Sequence, residues 1–192
     1  AVLTSAIAVF IAWDQGRVMR AQQHGAVYPV IQIDGFVSTS VDTASMGIRV
    51  SNSGVGPALI EQVRMLRNGE PVASLNLYVD RFPSGYDLSW TSLIGRAIAP
   101  GSNVEPLRVD WSRDDISGDQ LDAVAAEWSQ LDAEICYCSV FDRCWITRGL
   151  GMGRTMGRAE RVKRCERSEV DLFEAVANAP RASGTETISE VE

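Results

Sequence analysis

The 192-residue chain holds one histidine, His24. A cysteine–histidine pair or a serine triad would have that imidazole as its only base, and it lies in a polar stretch far in sequence from every cysteine. His24 is expected to be exposed, inert and away from the cysteines. No Cys-x-x-Cys occurs, which removes the thioredoxin-like redox motif. The glycines of Gly54-Val55-Gly56-Pro57 precede no lysine-hydroxyl pair and lead toward a strand, so they read as a structural turn and not a phosphate loop. A net charge of −7 and the want of a recognisable binding module argue against nucleic acid as a partner. The acid pairs Asp114-Asp115 and Asp132/Glu134 read as surface or capping groups, with a calcium set of Asp110, Asp114 and Asp115 as the minor alternative. No catalytic residue, cofactor or metal is therefore expected.

What is present centres on residues 134–145, which hold three of the four cysteines in one predicted β-hairpin. Along a strand, Cys136 and Cys138 share one face while Ile135, Tyr137 and Ser139 take the other. A bond between them would close a strained ring, so each needs a partner elsewhere. Four cysteines allow three connectivities, and spacing does not choose among them. The preferred pairing is Cys138 with Cys144, across a 139–143 loop, and Cys136 with Cys165 on a following strand at 162–165. Free thiols and a four-thiolate zinc site are the rivals.

Residues 1–13 carry no charge, but a membrane span needs about twenty apolar residues. With no methionine at its start, the run is expected to be the second half of a longer transmembrane helix, with Val2, Leu3, Ile7, Val9, Phe10, Ile11 and Trp13 as the anchor. A signal remnant and a buried or interfacial helix are alternatives. Residues 14–27 read as a polar helical stalk. Arg17 and Arg20 favour a cytoplasmic side and the cysteines an oxidising one; the cysteine argument is preferred.

From residue 28 the pattern changes to short alternating runs. Strands are predicted at 28–37, 45–52, 58–66, 92–99 and 104–111, with a hairpin turn at Asn68-Gly69 and a turn at Pro100-Gly101. The glycines at 54 and 56 permit positive φ. A short helix is predicted at 76–82 and a clearer one from Gly118, capped by Asp119, with Leu121, Val124, Ala125, Trp128 and Leu131 on its apolar face. This pattern predicts a mainly β domain over 28–177, an immunoglobulin-like antiparallel β-sandwich with one or two short helices.

The run from Ile48 to Ala58, the Cys136–Trp145 segment and the Arg-Ala-Gln-Gln stretch at 20–23 resemble small bacterial single-pass membrane proteins with an extracytoplasmic β-sandwich. That resemblance implies topology and carries no catalytic residue.

Arg148, Arg154, Arg158, Arg161, Lys163 and Arg164 form a basic stretch around a glycine-rich excursion at 149–157. Beside a membrane such a patch suits anionic headgroups or an acidic protein surface; a solvated strand face is the bland alternative. Beyond Ser168 the balance turns acidic, with Glu169, Asp171, Glu174, Glu186, Glu190 and Glu192. Leu172, Phe173 and Val176 suit a short docking helix, and 178–192 an acidic flexible tail. The combined expectation is a non-catalytic domain on the periplasmic side of a bacterial cytoplasmic membrane. Its partners would be the lipid bilayer and other membrane protein subunits, with no nucleic acid. A small-ligand sensor and a thiol-disulfide redox protein are the alternatives.

Overall fold

Alternating apolar residues between short turns build ten strands, joined by four helices, among the described residues. The computed structural model describes residues 2–150, 159–168 and 170–177, without the side chains of 2–8 and 21. In chain order these are α1 (Val2–Gly25), β1 (Ile31–Thr39), β2 (Thr43–Asn52), β3 (Ala58–Arg67), β4 (Glu70–Pro71), α2 (Asn76–Val79), β5 (Tyr86–Trp90), β6 (Ala97–Ile98), β7 (Asn103–Ser112), α3 (Gly118–Trp128), β8 (Leu131–Cys138), β9 (Cys144–Gly149), β10 (Glu160–Val162) and α4 (Leu172–Ala177). One antiparallel sheet runs β1-β2-β7-β5, and a second runs β10-β9-β8-β3-β4 with β6 paired to the start of β3. The fold is mainly β, with a few helices.

Every second residue of these strands turns inward. Ile31, Ile33, Met46, Ile48, Val50, Leu107 and Val109 of the first sheet share one hydrophobic cluster with Ile60, Val63, Met65, Ala133, Ile135 and Tyr137 of the second. At one corner the sheets meet: Leu150, just past β9, bridges in parallel to Asp34 of β1. A Cβ at Gly149 would overlap the Ile33 carbonyl there. Helix α3 covers another part of the core. Phe82 lies with its ring centroid 5.6 Å from both Trp111 and Trp128. Leu121, Ala125 and Trp128 are buried as their spacing predicts, but the cap is Ser117, in a capping box with Gln120, and not Asp119.

Several boundaries differ from the sequence pattern for identifiable reasons. Strand 92–99 shrinks to β6, which pairs with β3 while β7 belongs to the other sheet. The Pro100-Gly101 turn, with φ of 72° at Gly101, therefore carries the chain between sheets and does not close a hairpin. An additional edge strand, β5, pairs with β7. The helix expected at 76–82 is a single turn. Asn68-Gly69 does form the two-residue turn, both residues having positive φ. Gly54 and Gly56 do not take positive φ. They are needed for a different reason: a Cβ at either would overlap the backbone of residues 27–30, which this loop grips as the chain leaves α1. Asn52 completes the grip. Its Oδ1 accepts from the Val30 and Gly54 amides, and its Nδ2 donates to the Gly56 and Ile98 carbonyls.

Candidate functional site

Ala133, Ile135 and Tyr137 face the core, so Cys136 and Cys138 fall on the outer face of β8. Cys138 sits directly opposite Cys144 in the β8–β9 register and is bonded to it; Cys136 is bonded to Cys165. The pairing is the preferred one, but Cys165 is not on a strand, since β10 ends at Val162. From there the chain turns back across the outer face of the second sheet. Cys165 bonds to β8, the Ser168 amide donates to the Glu61 carbonyl of β3, and Arg167 pairs with Glu61 at 3.6 Å. The strap ends at Asp171, whose carboxylate accepts from Ser92 Oγ and from the amides of Leu93, Ile94 and Phe173. Asp171 is thus a buried cap of α4 and not part of an acidic surface. Beyond it Phe173 and Val176 are buried in the core, as a docking helix requires. The expected tail at 178–192, with Glu186, Glu190 and Glu192, lies outside the described residues, as does Glu169.

The two bridges touch: Cys138 Sγ lies 3.7 Å from Cys165 Sγ. Cys138, Cys144 and Cys165 place their sulfurs within 4.8 Å of one another, yet each is oxidised, so in this form they offer no thiolate to zinc.

The basic residues divide into two groups. Arg148 belongs to a ladder across three strands, in which Arg64 of β3, Glu134 of β8 and Arg148 of β9 stand in register. Glu134 is only 3% exposed and is paired on both sides, with Arg148 at 2.6 Å. Its partners explain why a carboxylate sits there, and Arg148, although exposed, is ion-paired. Asp132 has a partner as well. Arg154, Arg158 and the glycine-rich excursion from 151 lie outside the described residues.

Arg161 and Lys163 remain exposed. Together with Arg143, Asp142 and Val162 they line an open cleft of about 320 Å³ where the 139–143 loop meets β10, and Arg164 is exposed just beyond. Among the described residues none of Arg143, Arg161, Lys163 and Arg164 makes an ion pair. Arg143 is the member that a reading confined to residues after the hairpin leaves out.

His24, expected to be exposed and remote, packs its ring edge-on against Phe141 at 5.3 Å, beside this cleft. Burial, then the charges of Arg143 and Arg161, hold its pKa below the usual imidazole value. The end of α1 is thereby set against the cysteine hairpin. Next to it Tyr28 meets Trp145 edge-on at 5.0 Å, and Trp145 stacks on Tyr137.

Helix α1 itself leaves its apolar side chains uncovered: Val9, Phe10, Ile11, Trp13, Val18 and Met19 are all exposed. The side chains of Val2, Leu3 and Ile7 are not described. The Arg17 guanidinium lies over the Trp13 ring at 4.9 Å. No helix among the described residues is long and apolar enough to cross a membrane. The apolar character of α1 stops at Trp13, and Asp14, Arg17 and Arg20 follow.

Of the calcium candidates, Asp110 is occupied. It accepts from Arg108 and Ser45, and although burial pushes its pKa up, those bonds hold it below the usual carboxylate range. It borders an open groove with Asp42, Asp87 and Asp115 beside Tyr86 and Trp111.

Comparison with protein-family models, curated proteins and solved structures found no match.

Proposed function

We propose that the chain is a non-catalytic, membrane-anchored domain held on the periplasmic side of a bacterial cytoplasmic membrane, acting as an accessory subunit of a membrane protein assembly. The observation that carries this reading is α1, a helix whose apolar residues Val9, Phe10, Ile11 and Trp13 are exposed among the described residues and whose polar half leads into a body cross-linked by two disulfides. Uncovered Val9, Phe10, Ile11 and Trp13 suit lipid or neighbouring membrane helices, with Trp13 and Arg17 at the interface. Paired cysteines suit the oxidising side. The strand orders support an immunoglobulin-like sandwich: β1-β2-β7-β5 opposed to β9-β8-β3-β4 follows the arrangement of such domains, with β10 one strand beyond. The bridges differ from the usual one between sheets, since one joins β8 to β9 and the other joins β8 to the strap.

The aspartate groove favours a sensor for a small cationic ligand as the second reading. Redox exchange is disfavoured because Cys136, Cys138 and Cys144 are buried. The test is intact mass of membrane-extracted protein after alkylation, with and without reductant, together with identification of what copurifies. Two bridges and a stoichiometric membrane protein are expected. A chain found in the soluble fraction with alkylatable thiols would overturn the reading.

A further inference from the structure

The two disulfides frame the cleft, lined by Arg143, Arg161, Lys163 and Asp142, whose cations make no ion pair among the described residues. Arg143 directly precedes Cys144, Val162 stands opposite Cys144 in the β9–β10 register, and Lys163 lies two residues before Cys165. Cations on long side chains ordinarily lose conformational freedom when they converge on a ligand. Here the backbone beneath them is fixed in advance, which lowers that cost. The same loop carries Val140 and Phe141, both about half exposed, at 49% and 47%. Phe141 touches His24 at the end of α1, so cations, apolar loop tip and anchor helix converge on one end of the body.

We propose that this cleft is a lipid headgroup receptor: Arg143, Arg161 and Lys163 hold the phosphate of an anionic lipid in the membrane that α1 enters, while Val140 and Phe141 dip into the interface. The proposal rests on the anchored reading and names its lipid partner. An acidic protein surface would match the charge but gives the exposed Val140 and Phe141 no partner, and the anchor already keeps headgroups at high local concentration. Residues 14–25 rise about 18 Å as helix. An upright stalk would therefore hold the cleft above the headgroups, and contact requires α1 to lie oblique to the bilayer. Exposed Val18 and Met19 on its polar half suit that inclination.

The test places a fluorophore on Val140→Cys in the oxidised 192-residue chain and measures quenching by headgroup-labelled lipid. Vesicles of phosphatidylcholine alone report on the anchor, and vesicles with added phosphatidylglycerol report on the cleft. Retention on both, with salt-reversible quenching that appears only with phosphatidylglycerol, is the expected result. Each neutralised cation should shift the seated-to-free ratio about fivefold, so Arg161→Gln with Lys163→Gln should lower it roughly 25-fold. Arg148→Ala should leave it unchanged, because Arg148 serves the Glu134 ladder. A thermal melt of each variant confirms that the body is folded. Retention without any phosphatidylglycerol dependence overturns the headgroup site and leaves the anchor standing. Retention only with phosphatidylglycerol overturns the anchor and supports the site, whereas retention on neither overturns both. Displacement by millimolar inorganic phosphate would make it a soluble-anion site, and displacement by polyglutamate a protein-docking surface; either overturns the lipid assignment.

Discussion

Asp171 shows how one carboxylate fastens the end of the body. Burial pushes its pKa up, but hydrogen bonds from Ser92 Oγ and from the Ile94, Phe173 and Leu93 amides outweigh that and hold it below the usual carboxylate range. The depressed value means that its contribution is fully present above the unfolded carboxylate pKa, about 3.9, and is lost as pH falls through the folded value. Asp171→Ala leaves three amides and a hydroxyl without their acceptor and should cost about 2–4 kcal/mol at neutral pH. Urea unfolding across pH should show the wild-type advantage shrinking below about pH 4. Tyr137 is the opposite case: burial raises its phenol to about 12 while its oxygen accepts from the Ile31 amide. Neither role was visible in sequence. Asp171 sits in an acidic stretch whose neighbours give no hint that the loop at 92–94 folds onto it. His24 was misplaced for the same reason, because its contact with Phe141 spans more than a hundred residues of chain.

Among elements, the hairpin was the most legible. Cys138 and Cys144 flank the short 139–143 loop and stand opposite each other in the antiparallel pair, and the strand alternation placed the sulfurs on the face opposite Ile135 and Tyr137. The strap was less so, because Cys165 lies on extended chain without a strand pattern. The Arg64–Glu134–Arg148 ladder was illegible, since register across three strands is a tertiary property. Strand β5 was missed because Tyr86, Leu88 and Trp90 alternate on a largely exposed edge, where the signal competes with the helical spacing of Val72, Leu75 and Val79. The two bridges close loops of different length, with sequence separations of 29 and 6. Loop entropy then makes the strap bridge worth roughly 3.5 kcal/mol and the hairpin bridge roughly 2.5 kcal/mol. Replacing Cys136 and Cys165 together by serine should therefore lower the denaturation midpoint more than replacing Cys138 and Cys144. Equal losses in urea titrations would show that strain or residual structure dominates.

For the whole molecule, the division into projecting helix and body has a direct test. Asp14 to Arg20 lacks the packing that fixes the sheets, and Arg17 and Arg20 are exposed, so trypsin should cut there first. The released body should keep a thermal midpoint within about 2 °C of the intact chain, given that surface changes away from packed features are small. A large drop would show that α1 supports the core. The gripping loop at 52–58 predicts that it does not, because Asn52, Gly54 and Gly56 secure the chain from residue 27 onward.

The unequal spans of the two bridges also bear on how the molecule is assembled. In a chain delivered amino end first, Cys138 finds its partner six residues on, while Cys136 waits for one 29 residues on. Through that interval Cys136 is the unpaired thiol beside a finished bridge, and the competing bond to Cys144 is blocked once the hairpin has zipped. The last bond to form is the one that closes the strap, so an oxidation defect should accumulate a single species, with the hairpin bridge made and the carboxyl-terminal strap adrift.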